Sequence, residues 1–188
     1  MLFAKSARLF CPLAMVVALL TGCGSGSSDP TSNTAVATQD QAAWQRLTAD
    51  AETARKRGDL KAAENAYLAA MVEAEKLGAD NPANPEAIAN AANFYYVQGD
   101  GARADQLYRK SLALREKLKG TENVDLVQDL VGLAKVSVAQ KKYGDACTFY
   151  SRAVAILRTA NQPVPDDLST DFAKAQKTFD AEMAKSKS

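Results

Sequence analysis

GDLKAAENAYLAA (Gly58–Ala70), GDGARADQLYRKS (Gly99–Ser111) and KKYGDACTFYSRA (Lys141–Ala153) are three versions of one phrase. In each, an Ala is followed four residues later by Tyr and three later again by a small residue. The triples are Ala63-Tyr67-Ala70, Ala104-Tyr108-Ser111 and Ala146-Tyr150-Ala153, and the copies lie 41 and 42 residues apart. The match continues upstream. Twelve residues before each Ala stand Ala51, Ala92 and Ala134, and sixteen before stand Leu47, Ile88 and Leu130. Five aligned positions therefore hold one residue class in every copy. Repeats of this period mean stacked units rather than one closed core.

The spacing has a physical meaning. Each copy reads as two helices, with turns near Gly58-Asp59, Gly99-Asp100 and Tyr143-Gly144. The small residues fall where the two helices cross, and a bulky side chain there would push them apart. The Tyr lies one turn along the same face and fills the gap to the next hairpin. One hairpin cannot bury that face alone; a stack can.

Composition agrees. Of 188 residues 36 are Ala, the strongest helix former. The chain has 23 basic and 22 acidic residues and no His. Without His there is no His-dependent catalytic triad and no His-containing zinc site. Near-zero net charge argues against a nucleic-acid partner. No phosphate loop, metal cluster or activated nucleophile stands out, so neither an enzyme nor a cofactor protein is expected.

The phrase resembles the tetratricopeptide repeat. The common form has a period of about 34 residues, and here the extra length follows the second helix, in the stretches 74–100 and 112–130. Those stretches resemble the longer repeats of the kinesin light chain type, in which the helix ends near Glu-Lys-x-Leu-Gly and the next begins after Pro or Asn. HEAT and armadillo repeats are the rivals by length, at about 40 to 47 residues. The Ala-x3-Tyr-x2-small frame and the Gly before the second helix favour the tetratricopeptide reading. The resemblance implies an all-α, right-handed α-solenoid. Three helix-turn-helix hairpins occupy residues 40–162 (about 40–80, 81–121 and 122–162), and a C-terminal capping helix and tail occupy 163–188. Pro163 and Pro165 precede that last helix, Asp166 or Asp167 can cap it, and Leu168, Phe172, Ala175, Phe179 and Met183 form its apolar stripe. Seven helices are expected.

The first 22 residues read as an address. Lys5 and Arg8 precede an apolar run, Leu9–Leu20, that contains Pro12 and is too short for a permanent membrane span. Leu20-Thr21-Gly22-Cys23 resembles the bacterial lipobox. That resemblance implies cleavage before Cys23, a diacylglycerol on its thiol and an acyl chain on its new amine. These are the only cofactor-like groups expected. Gly24, rather than Asp, after Cys23 resembles the outer-membrane class, so the expected location is the bacterial cell envelope, anchored in the outer membrane and facing the periplasm. Residues 23–39, with Gly24–Thr38 rich in Gly, Ser, Thr, Asn and Pro, read as a flexible tether of about 20 Å end to end. The processed chain keeps one thiol besides the lipidated one, Cys147, so no internal disulfide is expected.

In tetratricopeptide proteins the first helix of each hairpin lines a concave groove that holds an extended peptide or a partner helix. Carried onto this sequence, the groove positions are Gln45, Thr48, Glu52 and Arg55, then Glu86, Asn90, Asn93 and Tyr96, then Gln128, Val131, Lys135 and Val138. Asn90 stands two before Ala92, where the family often has an Asn that bonds the ligand backbone; Ala49 and Gly132 hold the matching places elsewhere. Some members grip a C-terminal carboxylate with a Lys/Asn/Arg clamp. Thr48, Glu52, Gln128 and Gly132 occupy most of those places, so that clamp is not expected here. Tyr96, Val131 and Val138 suit a partly apolar peptide.

Several residues have a sharp and a plain reading. At least two aromatics of Asn93-Phe94-Tyr95-Tyr96 belong to the core by spacing, with Tyr96 either core or groove. Trp44 is either a partner anchor or a cover for the open end of the first hairpin. Cys147 reads as a buried inert thiol beside packed Ala146. Glu73 with Glu75, and Asp166 with Asp167, point apart on a helix and read as solvated faces and caps. Arg55-Lys56-Arg57 complements a helix end, with contact to acidic lipid as the sharper version. The favoured function is a lipid-anchored adaptor that binds another envelope protein. A self-assembling structural protein is the alternative, and an enzyme or small-ligand binder stands third.

Overall fold

Seven helices and no strand occupy the described residues, 30–186 of a computed structural model. They are α1 (Pro30–Lys56), α2 (Leu60–Lys76), α3 (Ala83–Val97), α4 (Gly101–Lys119), α5 (Leu126–Ala139), α6 (Tyr143–Thr159) and α7 (Asp166–Lys185). The chain is an all-α repeat: α1 pairs with α2, α3 with α4 and α5 with α6, and α7 packs on α6. Residues 1–29, with the apolar leader and Cys23, lie outside the described part.

The turns inside the hairpins follow from two residues. Gly58 and Gly99 both have φ of 80°, a left-handed conformation that glycine adopts without a Cβ clash. Asp59 and Asp100 then cap α2 and α4, their Oδ1 atoms accepting the N–H of Ala62 and Arg103 at 3.0 Å each. The third hairpin turns two residues earlier than its Tyr143-Gly144 suggests. Counting back five from Ala146 gives Lys141, which takes the left-handed place of Gly58 and Gly99 with φ of 60°. Lys142 follows where the Asp caps stand, and it makes no side-chain cap. Gly144 lies inside α6, where its missing side chain admits Phe179 of α7: a Cβ there would sit 3.2 Å from the ring.

The small residues do what their spacing requires. Ala51, Ala92 and Ala134 on the first helices, and Ala63, Ala104 and Ala146 on the second, are wholly buried. Each Tyr of the repeat frame reaches the next first helix. Tyr67 packs on Phe94 of α3 with ring centroids 5.3 Å apart. Tyr108 lies on Gly132 of α5, where a Cβ would come within 2.4 Å of the ring. Tyr150 meets Phe172 of α7 at 6.1 Å.

That third contact defines the capping helix. Leu126, Leu130 and Leu133 of α5 recur 42 residues later as Leu168, Phe172 and Ala175. So α7 takes the place of a fourth first helix. Leu168 and Ala175 are buried and Phe172 and Phe179 half-buried, while Met183, the last of the apolar stripe, is exposed.

At the other end, α1 reaches back to Pro30, into the segment read as a tether. Proline suits a first helical turn because its missing N–H would have no partner there, and Ala35 and Ala37 favour helix beyond it. Trp44 is buried against Ala74, Ala83 and Ala87, so it joins the first hairpin to the second rather than standing free as an anchor. Between hairpins, Asn81 Oδ1 accepts the N–H of Ala83 at 2.9 Å to start α3, and Asn84 Nδ2 donates to Gly78 O at 2.6 Å.

Candidate functional site

The first helices touch one another directly, α1 with α3 and α3 with α5. None of the twelve groove positions is buried. Gln45, Glu86, Asn93 and Gln128 are exposed, and Thr48, Glu52, Arg55, Asn90, Tyr96, Val131, Lys135 and Val138 are half-buried. Their chemistry divides them into three groups.

In the first hairpin the side chains satisfy one another. Arg55 donates to Glu52 Oε2 through Nε at 3.1 Å and Nη2 at 2.6 Å, and the Tyr67 hydroxyl donates to Glu52 Oε1. The Arg55 hydrogen bonds, aided by Tyr67 and opposed by burial, hold the Glu52 carboxyl below its ordinary pKa. Burial first, then Glu52, pushes the Tyr67 hydroxyl upward. Thr48 Oγ1 donates to Trp44 O at 2.9 Å, within its own helix. This stretch is occupied by its own groups.

Farther along, two hollows open. One, of about 410 Å³, collects Glu86 and Asn90 of α3, Arg115 and Lys119 of α4, and Asp125 and Gln128 at the start of α5. The other, of about 520 Å³, collects Tyr96, Lys135 and Val138 with Tyr143 and Tyr150 of α6 and Asp171, Lys174 and Thr178 of α7. Asn93 and Val131 line neither hollow. In the aromatic run, Phe94 and Tyr95 are core. The Tyr95 hydroxyl donates to Glu64 Oε1 at 2.9 Å, with the Arg103 guanidinium 4.9 Å above the Tyr95 ring. Tyr96 is the one turned to the hollow.

Beneath the first hollow lies a polar cluster that the repeat frame does not announce. Asp129 is wholly buried, and its Oδ2 accepts from Arg115 Nη1 at 2.8 Å, with Ser111 Oγ 3.0 Å away. Arg115 also donates to Asp125 O at 3.1 Å, and Ser111 Oγ lies 2.8 Å from Pro85 O. Asp129 Oδ1 has no hydrogen-bond partner among the described residues. Burial pushes the Asp129 carboxyl up to about 6, against the pull of Arg115 and Ser111. One signal was present: Ser111 replaces Ala at a packing position, with Arg115 four residues on along the same face. The contribution of α7 to the second hollow had a signal too, in the 42-residue register that runs on past the third hairpin.

Cys147 is half-buried, and burial followed by the charge of Asp180 raises its thiol pKa, which keeps it in the unreactive form. Glu73 accepts from Lys76 at 2.7 Å. Among the described residues no cluster of three or more His, Cys, Asp or Glu could hold a metal ion, and no helix is long and apolar enough to cross a membrane.

Comparison with known proteins follows the same lines. The tetratricopeptide repeat family model matches residues 84–159, the second and third hairpins. The fold is that of two solved structures from Podosopora anserina described as kinesin light chain nearly identical TPR-like repeats, one of them a single-substitution variant. Their TM-scores are 0.61 and 0.60, each at 17% identity over 70% of this chain. This chain spans 64% of the length of each. No curated protein matches it. The first hairpin lies outside the family match yet repeats its Ala, Tyr and turn geometry in register, so all three hairpins share one all-α helical-repeat fold, that of tetratricopeptide-like repeats.

Proposed function

We propose that the protein is an adaptor of the bacterial cell envelope. Cys23 carries the lipid anchor, in the outer membrane facing the periplasm, and the groove along α3, α5 and α7 receives a segment of a partner protein. The observation that carries the binding half is the pair of hollows, lined by Glu86, Asn90 and Gln128 and by Tyr96, Lys135 and Val138. Polar groups in one and an apolar wall with hydroxyls in the other suit a peptide of mixed character. The address half rests on the basic start, the short apolar run and Leu20-Thr21-Gly22-Cys23.

Both halves have direct tests. Crosslinked pull-down from intact envelope compares the wild type with Asn90→Ala plus Tyr96→Ala at matched abundance and helicity. A partner lost only in the variant supports the groove; a partner retained equally moves the interface to the outer face or the ends. Recovery of the protein alone from both samples supports self-assembly instead. Metabolic labelling with radioactive palmitate tests the anchor: label in the wild type and none in Cys23→Ser is expected, and equal label in both rejects lipidation at Cys23.

A further inference from the structure

Three hairpins place the same Tyr at the same point, and among the described residues only the first closes its hydroxyl with a carboxylate of its own. Tyr67 donates to Glu52, which Arg55 holds in place. Moving 41 and then 42 residues along, Glu52 becomes Asn93 and Lys135, and Arg55 becomes Tyr96 and Val138. The consequence is sharpest in the third hairpin. The Tyr150 ring is buried, its hydroxyl has no hydrogen-bond acceptor among the described residues, and a lysine stands where the first hairpin has its acid. Lys174 of α7 lines the same hollow. Neither Lys135 nor Lys174 makes an ion pair among the described residues. Among the described residues Asp171 is the single acid lining the hollow, so the two ammonium groups outnumber it.

We propose that this hollow takes the carboxylate of an Asp or Glu side chain in the partner's bound segment, seated where Glu52 would be if the third hairpin copied the first. There the carboxylate accepts from the Tyr150 hydroxyl and is paired with Lys135 and Lys174, while Val138 and Ala175 pack against its apolar neighbours. The first hairpin supplies the precedent, since its own Tyr is met by a side-chain carboxylate rather than a chain terminus. The first hollow lies within reach of the same segment. Asn90 and Tyr96 are six residues apart on α3, about 9 Å along its axis, which about three extended residues span. The proposal rests on the groove reading and adds a ligand chemistry to it.

The test pans the full-length chain against a randomised dodecapeptide library, acetylated at one end and amidated at the other, so that only side chains carry carboxylates. Selected peptides are expected to share one Asp or Glu beside an apolar residue. Lys135→Glu installs the first hairpin's own acid. It is expected to keep the melting temperature and to weaken the selected acidic peptide by about tenfold or more. Exposed Lys174→Gln weakens it in the same direction and serves as the comparison if Lys135→Glu melts early. Peptides selected without a fixed acid overturn the proposal, as does an acidic peptide bound equally by the wild type and both lysine variants. If Asn90→Ala plus Tyr96→Ala abolishes binding while both lysine variants retain it, the groove stands and the acid site falls. If only free-acid peptides bind, the carboxylate is a chain terminus and the proposal is wrong. If the folded chain selects no peptide in either form, the groove reading fails and takes this proposal with it.

Discussion

Two positions carry more of the repeat than their size suggests. At Gly132 there is no room for even a methyl group, because the Tyr108 ring lies where a Cβ would be. Gly132→Ala is therefore expected to destabilise the fold by about 2–3 kcal/mol, measured by urea unfolding; an unchanged midpoint would mean that the ring moves freely. Lys141 holds a left-handed φ of 60° where the other two hairpins have Gly. Lys141→Gly should raise stability by about 0.5–1 kcal/mol in the same assay, the relief of the Cβ clash exceeding the added freedom of the unfolded chain. A loss would show that the Lys141 side chain contributes more than its backbone costs.

The third residue of consequence is Asp129. Burial raises its carboxyl to about 6 in the folded chain, against an ordinary value of 3.8. Between those values the folded state holds a proton that the unfolded chain has released. Its contribution to stability is thus greatest below about 4, declines as pH rises toward 6 and is level above. Glu52 and Glu64, held low by hydrogen bonds from Arg55 and Tyr95 respectively, slope the opposite way at more acid pH. Subtracting the Asp129→Asn stability profile from that of the wild type should isolate a fall between pH 4 and 6. A flat difference would mean that Arg115 compensates Asp129 fully.

At the scale of elements, what the sequence shows depends on whether a contact repeats. The Ala, Tyr and small-residue frame is a local pattern read three times, and six of the seven helices follow from it. The turn of the third hairpin is ambiguous in the sequence because Gly144 looks like the turn glycine of the others, while Ala146, which fixes the register, puts Lys141 there. The start of α1 was hidden because Ser, Thr and Asn composition masked a helix entered through Pro30. The role of α7 was half visible. Its stripe could be read, but the match of Leu168, Phe172 and Ala175 to α5 becomes meaningful only once Tyr150 is seen on Phe172. Phe172→Ala should bare Tyr150 and cost about 1–3 kcal/mol, with the loss appearing first in hydrogen exchange of α6 and α7. Equal protection in both proteins would mean that α7 caps the stack without that ring.

At the scale of the molecule, the solenoid is not uniform along its length. The first hairpin spends its groove groups on one another, and the two hollows lined by groove positions lie over the second and third hairpins and α7. The twelve groove positions could be named because the family's frame transfers helix faces. Their division could not be read from spacing. Whether Glu52 meets Arg55 and Tyr67, or Lys135 shares a hollow with Lys174, depends on side chains from elements that the frame treats as equivalent. Ser111, Arg115 and Asp129 were missed for a related reason: a buried acid between two repeats belongs to no single repeat's pattern.

The central claim is that partners enter through this groove and not over the outer helices. A photo-crosslinking residue placed at Tyr96, in the second hollow, or at Leu68, exposed on α2, tests it in living cells. The account predicts a discrete adduct with another protein from position 96 and none from position 68. An adduct from 68 with none from 96 would contradict it.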